Sequence, residues 1–90
     1  RERAALLAML DMTQAWLRDC LVTCEQAPSL VSFAECAAQT ARVAGQTDTK
    51  ALLCAIDAVT TTRFRISYNV TPQLAVEAMF LEIREALCRR

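Results

Sequence analysis

Apolar residues recur at steps of three and four through the first quarter of the chain, and this spacing limits the fold more than any other feature. In residues 4–25 they fall within about 120° of arc when successive residues are set 100° apart, as in an α-helix. The stripe comprises Leu6, Met9, Leu10, Thr13, Leu17, Cys20, Leu21 and Cys24. We predict a long amphipathic helix, with Trp16 at the margin of the stripe, where its ring packs while its N–H reaches a polar partner or water.

A second helix is predicted after Pro28, with Ser29 as its N-cap. Its inward residues are small in the second half, which allows a neighbouring helix to approach closely. They are Leu30, Phe33, Ala34, Ala37, Ala41 and Ala44. We predict that Gly45 ends this helix in the left-handed conformation, which causes no Cβ clash in a glycine.

Thr47 or Asp48 can cap a third helix. Its predicted inward stripe is Leu52, Ile56, Val59, Ile66 and Val70. Residues 63–70 alternate between polar and apolar, and residues 60–62 are all threonine, a pattern that favours a strand locally. A lone strand has no second strand to pair with in this sequence, so we predict that the helix continues, frayed or bent at the threonines.

The clearest turn in the sequence precedes the last helix. Thr71 suits the N-cap and Pro72 suits the first helical position, while Asn69 tolerates the left-handed conformation that closes the preceding helix. The helix that follows, residues 72–88, has two opposed apolar faces. A helix in a small bundle cannot bury both faces in one core unless it is central, so one face is expected to meet another subunit or domain.

We assign Leu74, Ala78 and Leu81 of this last helix to the core of the fold itself, because they follow the turn most closely. The opposite face is then the candidate subunit interface, with Arg84 at its rim. That interface comprises Val76, Phe80, Ile83, Arg84 and Leu87.

These segments predict an all-α fold, a small helical bundle of four to five helices in a single domain spanning residues 1–90. The predicted core includes Leu17, Leu21, Leu52, Ile56, Leu74 and Leu81. Apolar residues make up 54% of a chain of only 90 residues, so we expect some apolar surface to face a partner. The chain starts directly in a helical pattern without Met, and we expect a C-terminal fragment of a longer protein.

The composition argues against an enzyme. There is no His for catalysis or zinc binding, and the single Gly excludes Gly-rich phosphate loops. Two carboxylate pairs, Glu82 with Glu85 and Asp11 with Asp19, lie on predicted polar helix faces, where solvated charge is the usual state. We therefore expect no catalytic residue, no cofactor, no metal and no small-molecule substrate.

Charge gives no sign of nucleic acid or membrane binding, because ten basic residues balance ten acidic ones. The best local cluster for nucleic acid is Arg63 and Arg65 beside Phe64 and Tyr68, but arginines two residues apart point to different helix faces. The longest apolar run, residues 4–10, is too short to cross a bilayer. We expect neither direct nucleic-acid contact nor a membrane partner.

Five cysteines lie within the helical patterns: Cys20, Cys24, Cys36, Cys54 and Cys88. Their odd number and these positions indicate reduced thiols that act as small hydrophobic residues in a cytoplasmic protein. Cys20 and Cys24 lie one helical turn apart, but they lack the His or acidic neighbours that a metal site needs.

Three segments resemble one protein family, in the same order along the chain. Residues 69–81, Asn-Val-Thr-Pro-Gln-Leu-Ala-Val-Glu-Ala-Met-Phe-Leu, are similar to the terminal signature of the bacterial DNA polymerase III clamp-loader delta-prime subunit. That signature is an Asn-x-Asn-Pro-x-Leu turn followed by an Ala-Leu-Glu-x-Leu-Leu-Leu helix; here Thr71 replaces the second Asn and Phe80 an aliphatic residue. Residues 16–21 resemble the Leu-Arg-Asp-Leu helix that opens the same C-terminal domain, and residues 52–57 resemble its penultimate helix.

The resemblance implies a non-catalytic collar domain of a delta-prime subunit, or the homologous domain of a gamma/tau subunit. In this family the collar domains of different subunits pack into a ring that holds AAA+ modules together, and those modules load the sliding clamp in DNA replication. The other clamp-loader subunits are then the expected partners. The alternative is a generic helical protein-interaction domain of another replication or regulatory protein.

Overall fold

The structure is a computed structural model that describes residues 2–26, 31–68 and 71–88. It contains four α-helices, α1 (Glu2–Cys24), α2 (Ala37–Gln46), α3 (Thr49–Ser67) and α4 (Pro72–Cys88), with a short 3₁₀ turn (Ala34–Cys36) before α2. All regular elements in these ranges are helical, which confirms the predicted all-α fold and the small bundle.

The central helix of the bundle is α3, which packs against both α1 and α4, while α2 packs against α1. α1 and α3 run in opposite directions. Arg63, near the end of α3, donates a hydrogen bond to Asp11 in the first half of α1. Thr49, at the start of α3, donates one to Glu25, just after the end of α1. Buried side chains from α1, α3 and α4 form one core. They are Leu10, Leu17, Cys20, Leu52, Ala55, Ala58, Val59, Ile66, Ala75, Met79 and Ile83.

Four of the six predicted core residues lie where the sequence places them. Leu17 and Leu52 are buried, and Leu21 and Ile56 are partly buried and pack against the core. All four belong to α1 or α3, each of which has one clear apolar stripe.

Two helix starts also agree with the sequence. Asp48 caps α3, and its side chain accepts a hydrogen bond from the backbone N–H of Ala51 at 2.8 Å. Pro72 is the first residue of α4, and the carbonyl of Thr71 accepts the N–H of Ala75 at 3.0 Å, as expected for an N-cap residue. The third predicted turn residue, Asn69, lies outside the described residues.

α2 turns a different face inward from the predicted one. Thr40 and Ala44 are buried, and the indole N–H of Trp16 donates to the hydroxyl of Thr40 at 3.1 Å. Three alanines of the predicted inward face are exposed, namely Ala34, Ala37 and Ala41. An alanine side chain gains little free energy from burial, so the larger Thr40 and its bond to Trp16 set the rotation of the helix.

The predicted end of the second helix is also wrong. Gly45 lies within α2 and does not adopt the left-handed conformation. The helix ends one residue later, and the chain leaves it through Thr47 in an extended conformation (φ −140°, ψ −170°), which any residue can adopt. The predicted start at Ser29, with Pro28 and Leu30, lies outside the described residues.

The threonine run does not interrupt α3, which is continuous over Thr49–Ser67. The hydroxyl of Thr62 donates to the carbonyl of Ala58 at 2.7 Å, and that of Thr60 donates to Ile56 at 3.4 Å. These bonds one turn back satisfy the hydroxyls within the helix, so a buried threonine is tolerated there. The helix predicted in place of a strand is confirmed up to Ser67.

On α4 the two apolar faces are the reverse of the prediction. Leu74 and Leu81, assigned to the core, are 62% and 64% exposed. The buried residues are Ala75, Met79 and Ile83. Val76 and Leu87 pack beside them, partly buried. Ala75 and Met79 extend the stripe that contains Val76, Ile83 and Leu87, so this stripe covers a wider arc and buries more apolar area than the opposite one.

Candidate interaction surface on the last helix

The surface of α4 opposite the core carries a line of apolar residues. Leu74, Leu81 and Cys88 are each seven residues apart and exposed, with Ala78 and Glu85 between them. Two helical turns separate residues at this spacing, so they share one side of the helix. We call these five residues the outer face of α4.

Charged residues border the outer face of α4. Glu77 and Arg84 lie along one edge, and both are exposed. Glu77 accepts a hydrogen bond from the side chain of Gln73 at 3.2 Å. The two ion pairs among the described residues join Arg63 to Asp11 and Arg65 to Glu82, and neither includes Arg84. Arg84 therefore projects beside the apolar line as a charge that a partner can meet.

The candidate interface predicted from the sequence is mostly inside the fold. Ile83 is buried, and Val76 and Leu87 are partly buried and pack against the core, so these three belong mainly to the fold itself. Phe80 is 46% exposed at the margin of the core face, and Arg84 is exposed. Phe80 and Arg84 are the two residues of the predicted set that are exposed.

A second exposed apolar feature lies on α3. The rings of Phe64 and Tyr68 stack with centroids 5.6 Å apart and planes 5° from parallel, and both side chains are more than half exposed. Arg63 is held by Asp11 at 2.7 Å and Arg65 by Glu82 at 3.3 Å, on opposite flanks of the helix. The structure therefore does not bring the two arginines together as a phosphate site.

Asp19 was predicted to lie on a solvated helix face, and that prediction is wrong. The residue is completely buried, and its two carboxylate oxygens accept the backbone N–H groups of Ser32 at 2.8 Å and Phe33 at 2.9 Å. These bonds fasten the chain after α1 back onto α1. One feature of the sequence does point to burial of Asp19, because the residue lies between Leu17 and Cys20, which both belong to the apolar stripe.

The other candidate carboxylates do not form an acid–base pair. Asp11 and Glu82 each bind an arginine, and Glu85 is exposed on the outer face of α4. Asp19 has both oxygens engaged by backbone amides. The structure therefore does not assemble the two pairs considered from the sequence, and their bonds are those of surface ion pairs and a structural anchor.

The five cysteines fall into two groups: Cys20, Cys24 and Cys36 are buried or partly buried, and Cys54 and Cys88 are exposed. Cys20 is buried, and burial, followed by the nearby charges of Cys24 and Asp19, raises its pKa to about 11. Burial is also the main cause that raises the pKa of Cys24, whose Sγ lies 3.4 Å from the carbonyl oxygen of Ala44. Cys54 and Cys88 are exposed, so the prediction that all five thiols serve as packed hydrophobic residues is wrong for these two. Burial distinguishes the two groups, although all five thiols are free.

The described helices do not bring metal-binding side chains together in larger groups than the pair Cys20 and Cys24. No group of three or more Cys, Asp or Glu residues in residues 2–26, 31–68 and 71–88 could hold a metal ion. Within the same ranges, no helix combines the length and apolar character that a membrane span requires.

An open hollow lies between the first turns of α1 and α4. Its walls include Leu6, Ile66, Pro72 and Val76, and Arg3 lies among the polar groups at its edge.

Comparison of the chain with protein-family models, curated proteins and solved structures gives no match. The outer face of α4 and the sequence resemblance are therefore the two features of this chain that point to a function.

Proposed function

We propose that this chain is a non-catalytic assembly module, the collar-type oligomerisation domain of a bacterial DNA polymerase III clamp-loader subunit in the cytoplasm. The observation that carries the proposal is the outer face of α4, where Leu74 and Leu81 stay exposed on a well-packed helix. Leucines aligned on one side of a bundle that already has its own core are typical of a surface that a partner covers.

The resemblance to clamp-loader subunits supports this choice over other assembly modules. The turn in the resembling segment begins α4 through Thr71 and Pro72, and so sets where the outer face starts. The earlier resembling segment contains Asp19, which anchors the following chain to α1. Both segments therefore help to build the fold that exposes the outer face of α4. A domain that assembles through this face would need the turn at Pro72 and the anchor at Asp19.

Reconstitution with the other clamp-loader subunits tests the proposal. In the full-length protein, Leu81→Asp places a charge on the outer face of α4, and we expect co-elution with those subunits to be lost. The matched control is Leu53→Asp on α3, because Leu53 is 52% exposed and lies on a different helix. This control is expected to assemble normally.

Two outcomes contradict the proposal. One is that the native full-length protein does not bind clamp-loader subunits. The other is that Leu81→Asp assembles as well as Leu53→Asp does. The first result favours the alternative, a helical interaction domain of another replication or regulatory protein. The second shows that the outer face of α4 is not the surface that binds the other subunits.

A further inference from the structure

The outer face of α4 has the spacing of a two-helix contact. Leu74, Ala78, Leu81, Glu85 and Cys88 follow one another at alternating steps of four and three, which is the narrow stripe of a helix that packs along another helix. Glu77 and Arg84 occupy equivalent positions on one edge of this stripe, one heptad apart. We infer that the outer face of α4 pairs with the same face of a second copy of this chain, antiparallel, with each Glu77 opposite the partner's Arg84.

The sizes of the side chains fit this arrangement. With the two helices crossing near the middle of α4, Leu81 lies opposite the partner's Ala78, and the same contact is repeated by the two-fold symmetry. A leucine facing an alanine allows the helices to approach closely. Leu74 lies opposite the partner's Glu85, whose methylene stem can cover the leucine while its carboxylate stays in water.

Charge selects both the direction and the register. In the antiparallel register described, Glu77 meets the partner's Arg84 twice, once on each side of the two-fold axis. A slip of one heptad in one direction places Glu77 opposite the partner's Glu77, and a slip in the other places Arg84 opposite the partner's Arg84. Both slips bring like charges together, so one antiparallel register is favoured.

A parallel pairing is disfavoured by the same residues. It places Glu77 beside the partner's Glu82 and brings Glu85 next to the partner's Glu85 in the centre of the contact. Acidic residues would then repel one another on both edges and in the middle. The outer face of α4 is therefore complementary to itself only when the two helices run in opposite directions.

The contact is small, so the dimer is expected to be weak. α4 has 17 residues and is about 26 Å long. One face of such a helix buries on the order of 400 Å² on each copy, about half of what a standard stable interface buries per partner. We therefore expect a monomer–dimer equilibrium that depends on protein concentration.

Sedimentation equilibrium of the full chain over a wide range of concentrations measures this association. We expect a reversible dimer that weakens at high salt, because ions screen the two edge pairs. Leu81→Glu should abolish the dimer, while Leu53→Glu should leave it unchanged. Both variants should keep the native far-UV circular dichroism. A native chain that is monomeric at every concentration, or equal loss in both variants, overturns the inference.

Exchange of the edge charges tests the register. Glu77→Arg alone and Arg84→Glu alone each bring like charges together at both symmetry-related positions, and each should weaken the dimer by roughly tenfold. An equimolar mixture of the two variants should recover the native affinity, because every arginine then meets a glutamate. If the mixture associates no better than the separate variants, the proposed pairing is wrong.

The inference rests on the proposed function only in treating the outer face of α4 as an assembly surface, and the two can fail separately. If the native chain stays monomeric while Leu81→Asp still abolishes binding to clamp-loader subunits, the dimer is refuted and the collar proposal stands. If the dimer forms with the expected charge dependence and clamp-loader subunits do not bind, the collar proposal fails and the dimer stands.

Discussion

The buried carboxylate of Asp19 offers the sharpest test of how the bundle is held together. It accepts two backbone N–H groups, from Ser32 and Phe33, and no solvent reaches it. Replacing Asp19 with Ala removes both acceptors and leaves two amide groups without these partners. The substitution therefore loosens the connection between α1 and α2 without touching the apolar core.

The expected magnitude follows from the two bonds. A hydrogen bond to a charged group contributes about 1.5–3 kcal/mol, so two such bonds set an upper range of about 3–6 kcal/mol. Removing a buried charge also removes its desolvation penalty, which offsets part of that loss. We expect Asp19→Ala to lower the free energy of unfolding by about 2–4 kcal/mol, a large part of the roughly 5–13 kcal/mol expected for a domain of this size.

Urea denaturation followed by circular dichroism measures this change, with Asp11→Ala as the control. Asp11 is also an aspartate of α1, but its side chain is 69% exposed and it pairs with Arg63 at the surface. Such a pair contributes less than about 1 kcal/mol, so the control should be nearly as stable as the native chain. Hydrogen exchange should also show that the amides of Ser32 and Phe33 lose their protection in Asp19→Ala.

Asp19 is not the anchor of this connection if the free energy of unfolding of Asp19→Ala lies within about 0.5 kcal/mol of the native value, or if Asp11→Ala is equally destabilising. Asp19→Asn adds a graded check. Its single carbonyl oxygen can accept one of the two N–H groups, while its amide group faces the other as a donor, so we expect an intermediate loss of stability.

Further predictions concern α4, the thiols and the cap of α3. Ile83→Asp should unfold the chain, whereas Leu81→Asp should change the free energy of unfolding by less than about 1 kcal/mol in chemical denaturation, because only Ile83 is buried. In the folded chain a thiol reagent should label Cys54 quickly and Cys20 only after unfolding, since Cys20 is buried and its pKa is raised. The raised pKa means that the folded chain holds this proton more tightly than the unfolded chain, so the free energy of unfolding should fall as pH rises from 9.0 to about 11, as followed by denaturation at each pH. Asp48→Ala should lower the free energy of unfolding by about 1 kcal/mol, as measured by thermal or urea unfolding, because α3 loses its capping hydrogen bond.

Features that depend on neighbouring residues in the chain could be predicted from the sequence alone. The stripe of α1 places Leu17 in the core, Asp48 caps α3, and Thr71 with Pro72 begins α4. Each of these depends on groups within about four residues, through helix periodicity or a capping bond, so the local sequence is sufficient to specify it. The helical state of the threonine run is similar, because the Thr62 hydroxyl is satisfied within its own helix.

Features that depend on which surfaces meet were decided by the tertiary structure. α4 has two apolar faces, and the inward one is the face that includes Ala75 and Met79 in the core, which leaves Leu74 and Leu81 outside. Asp19 looks like a solvated charge in a helical pattern until the chain after α1 folds back and supplies two amide donors. Burial and hydrogen bonding between distant segments depend on many contacts with residues far along the chain, which a short stretch of sequence does not contain. The outer face of α4 is defined by those contacts, because they decide which side of the helix is buried.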